Sequence, residues 1–129
     1  MKIERREYPD IALSGPTYAR AVRAGNMLFV SGCTARGTDA EGGPAIDQLR
    51  VTLDRVVRVV QAEGGKPQGI VKLTTFVTRM ADWWPAPAEQ QTIFDGHFEG
   101  QNPANSLVEV SALALPGLNI EIEAIAIIE

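Results

Sequence analysis

Two carboxylates, Glu121 and Glu123, stand two residues apart within Asn119-Ile-Glu-Ile-Glu-Ala-Ile-Ala-Ile-Ile128, a run that is otherwise apolar. An extended strand sends alternate side chains to opposite faces. Ile120, Ile122, Ala124, Ala126 and Ile128 therefore make one unbroken apolar face, and Glu121, Glu123, Ile125 and Ile127 share the other. Apolar residues on both faces describe a strand covered on both sides, in the interior of a sheet. Carboxylates about 7 Å apart on such a strand are costly unless they are paired, hydrated or used. They mark either a subunit seam or a site. In an apolar cleft a carboxyl group has a raised pKa and can pass protons both ways.

Few other side chains compete for chemistry. Cys33 is the single cysteine and His97 the single histidine. One cysteine excludes an intrachain disulfide framework and a thiolate zinc cluster, so no metal or cofactor is expected. No serine–histidine–acid or cysteine–histidine arrangement suggests itself, because His97 falls in a helical segment. Glu109 reads as a structural member of a carboxylate network. Trp83-Trp84 reads as a helix anchor with one ring free to rim an aromatic pocket. The stretch from Gly37 to Gly43 is too irregular for a phosphate loop and reads as a mobile flap.

The 129 residues suit one domain, residues 1–129, and 45% hydrophobic with 22% charged residues is a globular composition. A net charge of −4 provides no basic footprint for nucleic acid. No apolar run is long enough to span a membrane, and Met1-Lys-Ile-Glu-Arg-Arg-Glu7 lacks a signal-peptide core, so the expected location is cytoplasmic.

The elements that must position these residues are set by periodicity. A short strand falls near Ile3, followed by turns around Pro9-Asp10 and Ser14-Gly-Pro16. Arg20–Arg23 and Met27–Val30 form a hairpin around Gly25-Asn26. Residues 35–44 form a loop. Ile46, Leu49, Leu53, Val56, Val57 and Val60 recur at helical steps, and Gly64-Gly65 ends that helix. Ile70–Thr78 is a β-branched strand. A second helix runs from Pro87 to Phe98, with the prolines confined to its first turn. Ser106–Val110 and Leu118–Ile128 complete the strands. The order predicts an α+β sheet with both helices on one face. No helix remains for the other face, so another copy of the chain is its simplest cover.

Several segments resemble one family, the RidA/YjgF/L-PSP group of small trimeric proteins. They are Tyr18-Ala-Arg-Ala-Val-Arg-Ala-Gly-Asn-Met-Leu-Phe-Val-Ser-Gly32, Ile70-Val-Lys-Leu-Thr-Thr-Phe-Val-Thr-Arg-Met-Ala-Asp82, Pro103-Ala-Asn-Ser-Leu-Val-Glu-Val110 and Ile120-Glu-Ile-Glu-Ala-Ile-Ala126. The resemblance implies a chorismate-mutase-like fold, a mixed sheet whose three copies close into a barrel-forming homotrimer. Small-molecule clefts then lie between subunits, and active members hydrolyse imines and enamines, releasing ammonia and a keto acid. By position, the resemblance makes Glu121 the carboxylate that holds the attacking water. It also places Tyr18, Ser31, Gly32 and Cys33 along the substrate pocket.

One position departs from the family. Its Pro-Ala-Arg-Ser-type motif supplies an arginine that clamps the substrate carboxylate, and residue 105 here is asparagine. Asn105 can donate two hydrogen bonds but brings no charge. Losing a charge-assisted clamp, about 1.5–3 kcal/mol per bond, disfavours anionic substrates and favours a neutral polar group. Leu107 points to the same region and dries it. The expectation is a hydrolase acting on an imine, enamine or related unsaturated substrate, with Asn105 orienting it. The alternative is a non-catalytic ligand-binding or regulatory trimer of the same fold. Ribonuclease activity, reported for some relatives, fits poorly with the acidic balance.

Overall fold

The computed structural model describes residues 1–129. Its strands are β1 (Ile3–Arg6), β2 (Ala21–Ala24), β3 (Met27–Cys33), β4 (Ile70–Val77), β5 (Ala104–Glu109) and β6 (Ile120–Ile127); the helices are α1 (Ala45–Ala62) and α2 (Ala88–Phe98). They form one six-stranded mixed sheet in the order β1-β2-β3-β6-β4-β5, antiparallel except for the parallel pair β4–β5. The carboxylate strand β6 therefore lies near the sheet's centre, between β3 and β4. The segment near Ile3 is a paired edge strand.

Helix α1 covers one face of the sheet because its apolar stripe repeats at helical steps. Leu49, Leu53, Val56, Val57 and Val60 pack with Leu28, Val30, Ile122, Ala124 and Ala126 in the buried core. Each such side chain contributes roughly 1.5–3 kcal/mol on leaving water. Helix α2 lies on the same side and contributes only Phe98 fully to that core. It starts after Pro87 and ends at Glu99, whose left-handed conformation (φ 52°) stops the helix.

The opposite face has no cover within the chain. Phe29 is 40% exposed, and Ile125, paired with it in register, is half-buried. Val108 is also exposed, while Phe76 and Ile127 are half-buried. An apolar sheet face of this kind is the surface for which a second copy of the chain was expected.

One irregularity sets the facing of residues 31–33. Val30 pairs with Ala124 but Cys33 pairs with Ile122, so β3 uses three steps where β6 uses two. This β-bulge at Ser31-Gly32 inverts the alternation of faces. Leu28, Val30 and Cys33 consequently all point into the core.

Candidate functional site

At the end of the sheet where β6 begins, a cavity of about 300 Å3 opens between the N-terminal segment and the loop before α1. Tyr18, Gly32, Thr34, Leu118 and Glu121 line it, together with Arg20, Arg36 and Arg55. Glu121 reaches it because β6 alternation sends it to the face opposite Ile120 and Ile122. Its carboxyl group lies across Gly32: a Cβ at residue 32 would stand 2.5 Å from Oε2 and 2.7 Å from Cδ. Any larger residue at position 32 would push the Glu121 side chain from this place.

Burial raises the pKa of Glu121, the charge of Glu123 raises it further, and Arg20 opposes both. Glu123 itself is exposed. The pair thus divides in environment: one carboxyl group is half-buried in a cavity, and the other faces outward.

Arg20 is the largest feature that sequence reasoning missed. It is 2% exposed. Its Nη1 donates to the Leu13 carbonyl at 3.1 Å, and its Nη2 to the carbonyls of Ser31 at 2.6 Å and Gly32 at 2.7 Å. The guanidinium thereby holds the bulge in shape and lies 5.6 Å from the centre of the Tyr18 ring. A hairpin-strand arginine normally reaches solvent, and nothing in residues 18–33 signals that this one turns inward.

Gln48 was also missed. It is fully buried; its amide nitrogen donates to the carbonyls of Gly43 at 3.2 Å and Gly117 at 2.7 Å, and its oxygen accepts from the Asn119 N–H at 3.0 Å. These bonds tie the start of α1 to the chain entering β6. A polar residue beside Leu49 on the apolar stripe was the available signal.

Two of the residues expected along the pocket do not line this cavity. Cys33 does not line the cavity: the bulge turns it into the core, where it is 1% exposed. Burial raises its thiol pKa, with Arg20 and Arg55 opposing, so it is a poor nucleophile. Ser31 is also absent from the lining, because its hydroxyl donates to the Ala19 carbonyl at 2.7 Å and pins the bulge. Glu109 belongs to no carboxylate network; its Oε1 accepts the Met80 N–H at 2.8 Å.

Asn105 and Leu107 lie elsewhere. Asn105 pairs with Leu73 and Leu107 with Thr75, on the helix-covered face, whereas Glu121 pairs with Phe76 on the bare one. Within one subunit they cannot share a cavity. Asn105 accepts the Thr75 hydroxyl at 2.9 Å and leaves its amide NH2 free to donate. With Leu107, Trp83, Trp84, Gln90 and Phe94 it lines a smaller apolar cavity of about 230 Å3. There the buried Trp83 Nε1 and Gln90 Oε1 have no hydrogen-bond partner. Trp83 is the helix anchor, at 2% exposure, and Trp84 the outer ring, at 70%. His97 lies on α2 in another hollow, with Arg50 and Asp54. No cluster of three metal-ligating side chains occurs, and no helix is long and apolar enough to cross a membrane.

A mixed sheet with two helices on one face and a half-buried carboxyl group laid over a glycine bulge defines a class of small α+β proteins. The model of the family described as Endoribonuclease L-PSP matches residues 12–128, and the chain belongs to this RidA/YjgF/L-PSP family. It is 37% identical over 118 residues to a RutC family protein of Pasteurella multocida, covering 90% of each chain. It is 38% identical over 118 residues, again 90% of each chain, to the 2-iminobutanoate/2-iminopropanoate deaminase of Escherichia coli K12. Among solved structures, E. coli TdcF with bound serine superposes with a TM-score of 0.82 at 29% identity, over 98% of this chain and 99% of that one.

Proposed function

We propose that the protein is an imine or enamine hydrolase whose working carboxylate is Glu121. The observation that carries this reading is the Glu121 carboxyl group seated over Gly32 in a cavity, with its pKa raised by burial. Such a group holds a water molecule in its ionised form and returns the proton in its neutral form. Glu121 takes a proton from water as oxygen bonds to the imine carbon, the C=N electron pair moves to nitrogen, and Glu121 returns that proton to nitrogen. The carbinolamine then gives its hydroxyl proton, through Glu121, to nitrogen, and the C–N bond breaks to release ammonia as the C=O bond forms. The similarity to a protein named as a 2-iminobutanoate/2-iminopropanoate deaminase supports this chemistry.

The proposed cleft forms between subunits of a homotrimer. Glu121 and Asn105 occupy opposite faces of one sheet, so an Asn105 that contacts the same substrate has to come from a neighbouring copy. The uncovered apolar face around Phe29 and Ile125 supplies the contact surface.

Ammonia release from 2-iminopropanoate, 2-iminobutanoate and neutral imines generated in situ tests the proposal. Wild-type protein accelerates release from at least one of them, and Glu121→Ala lowers the rate about a hundredfold or more. Turnover of none, or full activity in Glu121→Ala, overturns it. Asn105 in place of the family's arginine favours a second reading, a ligand-binding trimer without catalysis, which predicts binding without turnover.

A further inference from the structure

The Glu121 cavity gathers three guanidinium groups. Arg20, Arg36 and Arg55 all line it, and none lies within ion-pair distance of a carboxylate. Only Asp10 and Glu121 line it with negative charge.

The three arginines are held differently. Arg20 is fixed in the wall by three backbone carbonyls, with its buried Nε left unpartnered. Arg55 projects from α1 and is half-buried. Its Nη1 donates to the carbonyls of Thr34 at 2.7 Å and Arg36 at 2.9 Å, while its Nε and Nη2 make no hydrogen bond. The guanidinium is thus oriented by one nitrogen and keeps an edge open. Arg36 stands on the loop that Arg55 braces, exposed and making no side-chain hydrogen bond or ion pair. Burial lowers the Arg55 pKa, and the positive charges of Arg20 and Arg58 lower it further.

We propose that Arg36 and Arg55 form a carboxylate clamp in the Glu121 cavity, replacing in function the arginine that position 105 lacks. Arg55 offers a preoriented edge for two hydrogen bonds to one carboxylate, Arg36 closes over it from the loop, and Arg20 contributes fixed positive potential. The carboxylate is then bound by the same subunit that carries Glu121. This inference rests on the imine-hydrolase reading, and what it adds is which residues of this chain hold the substrate carboxylate.

The test measures binding of pyruvate, a keto acid of the product class, and of pyruvamide, its neutral counterpart, by calorimetry or NMR titration. The clamp requires pyruvate to bind wild-type protein more tightly than pyruvamide. Arg36→Gln, which removes no contact from the fold, weakens pyruvate about tenfold. Arg55→Gln weakens it about ten- to a hundredfold, as loss of charge-assisted bonds implies, and neither variant alters pyruvamide. If Arg55→Gln does not fold, Arg36→Gln alone decides. Pyruvate binding unchanged in the folded variants, no pyruvate binding to wild type, or equal affinity for pyruvamide overturns the clamp. The two readings fail separately. Arginine-dependent pyruvate binding without ammonia release leaves the clamp and removes the hydrolase. Turnover of neutral imines, unaffected by either substitution, does the reverse.

Discussion

Gly32 and Glu121 are in contact across the β3–β6 bulge, and a Cβ at residue 32 would displace the Glu121 side chain: the added carbon would stand 2.5 Å from Oε2, 2.7 Å from Cδ and 2.8 Å from Cγ. The bulge, the carboxyl group and the arginine that binds both bulge carbonyls act as one unit. Arg20 draws the Ser31 and Gly32 carbonyls inward, which leaves the other side of Gly32 clear for Glu121.

Gly32→Ala is therefore expected to displace the Glu121 side chain. Overpacking of this sort costs about 1–3 kcal/mol, and under the proposed mechanism the hydrolytic rate should fall at least about tenfold, since a displaced carboxylate would no longer meet the water correctly. Denaturant unfolding and imine kinetics measure the two effects. Unchanged kcat in folded Gly32→Ala would remove the contact from the mechanism.

The raised pKa of Glu121 makes a signed prediction about stability. A carboxyl group that is harder to ionise in the folded chain than in the unfolded one favours folding below its unfolded pKa. That contribution is lost as pH rises through the folded pKa. Glu121→Gln, uncharged at every pH, should melt above wild type at about pH 7.5, and the gain should disappear near pH 3.5. Thermal scans at both pH values check it, and a variant less stable than wild type at neutral pH contradicts the assignment.

Arg20→Ala should be among the more damaging single changes. It leaves the carbonyls of Leu13, Ser31 and Gly32 without their buried donor, at a cost of about 2–4 kcal/mol. Arg20→Lys restores the charge but not the fork, so it should recover only part of the loss. Equal stability of Arg20→Ala and wild type in urea titrations is incompatible with this role.

The bare sheet face predicts a dependence on assembly. Phe29→Glu or Ile125→Glu places a charge at a register pair on the uncovered surface, and, if the proposed trimer forms through this face, should reduce the mass in solution to that of a monomer while secondary structure persists. Light scattering with circular dichroism tests this. Because Glu121 and Asn105 lie on opposite faces, imine turnover should fall with the assembly. A fully active monomer contradicts the intersubunit cleft.

Much of the fold was legible along the chain. The stripe from Ile46 to Val60 has one helical solution, and the alternation from Ile120 to Ile128 has one strand solution, because both patterns are local and repeat several times. Boundaries were less legible. β5 begins at Ala104 rather than Ser106, and β3 continues past Val30 to Cys33, since strand ends depend on which neighbour supplies hydrogen bonds.

The residues by themselves determined the two helices on one face of a sheet and the interior place of β6, for which local periodicity suffices. The choice of Glu121 over Glu123, and the charge missing at Asn105, came from the resemblance to the family and not from any local pattern. Cys33, at the end of the hairpin, was already readable as a buried, inert thiol; only the tertiary structure decided that Arg20 is a buried brace, that Arg36 and Arg55 line the same cavity as Glu121, and that Asn105 lies on the far side of the sheet. These depend on contacts between segments distant along the chain: the β4–β5 and β4–β6 registers set the faces of Asn105 and Glu121, and the inserted residue in β3 sets those of residues 31–33. A one-residue bulge exchanges the faces of everything after it, and no local pattern in residues 27–33 announces it.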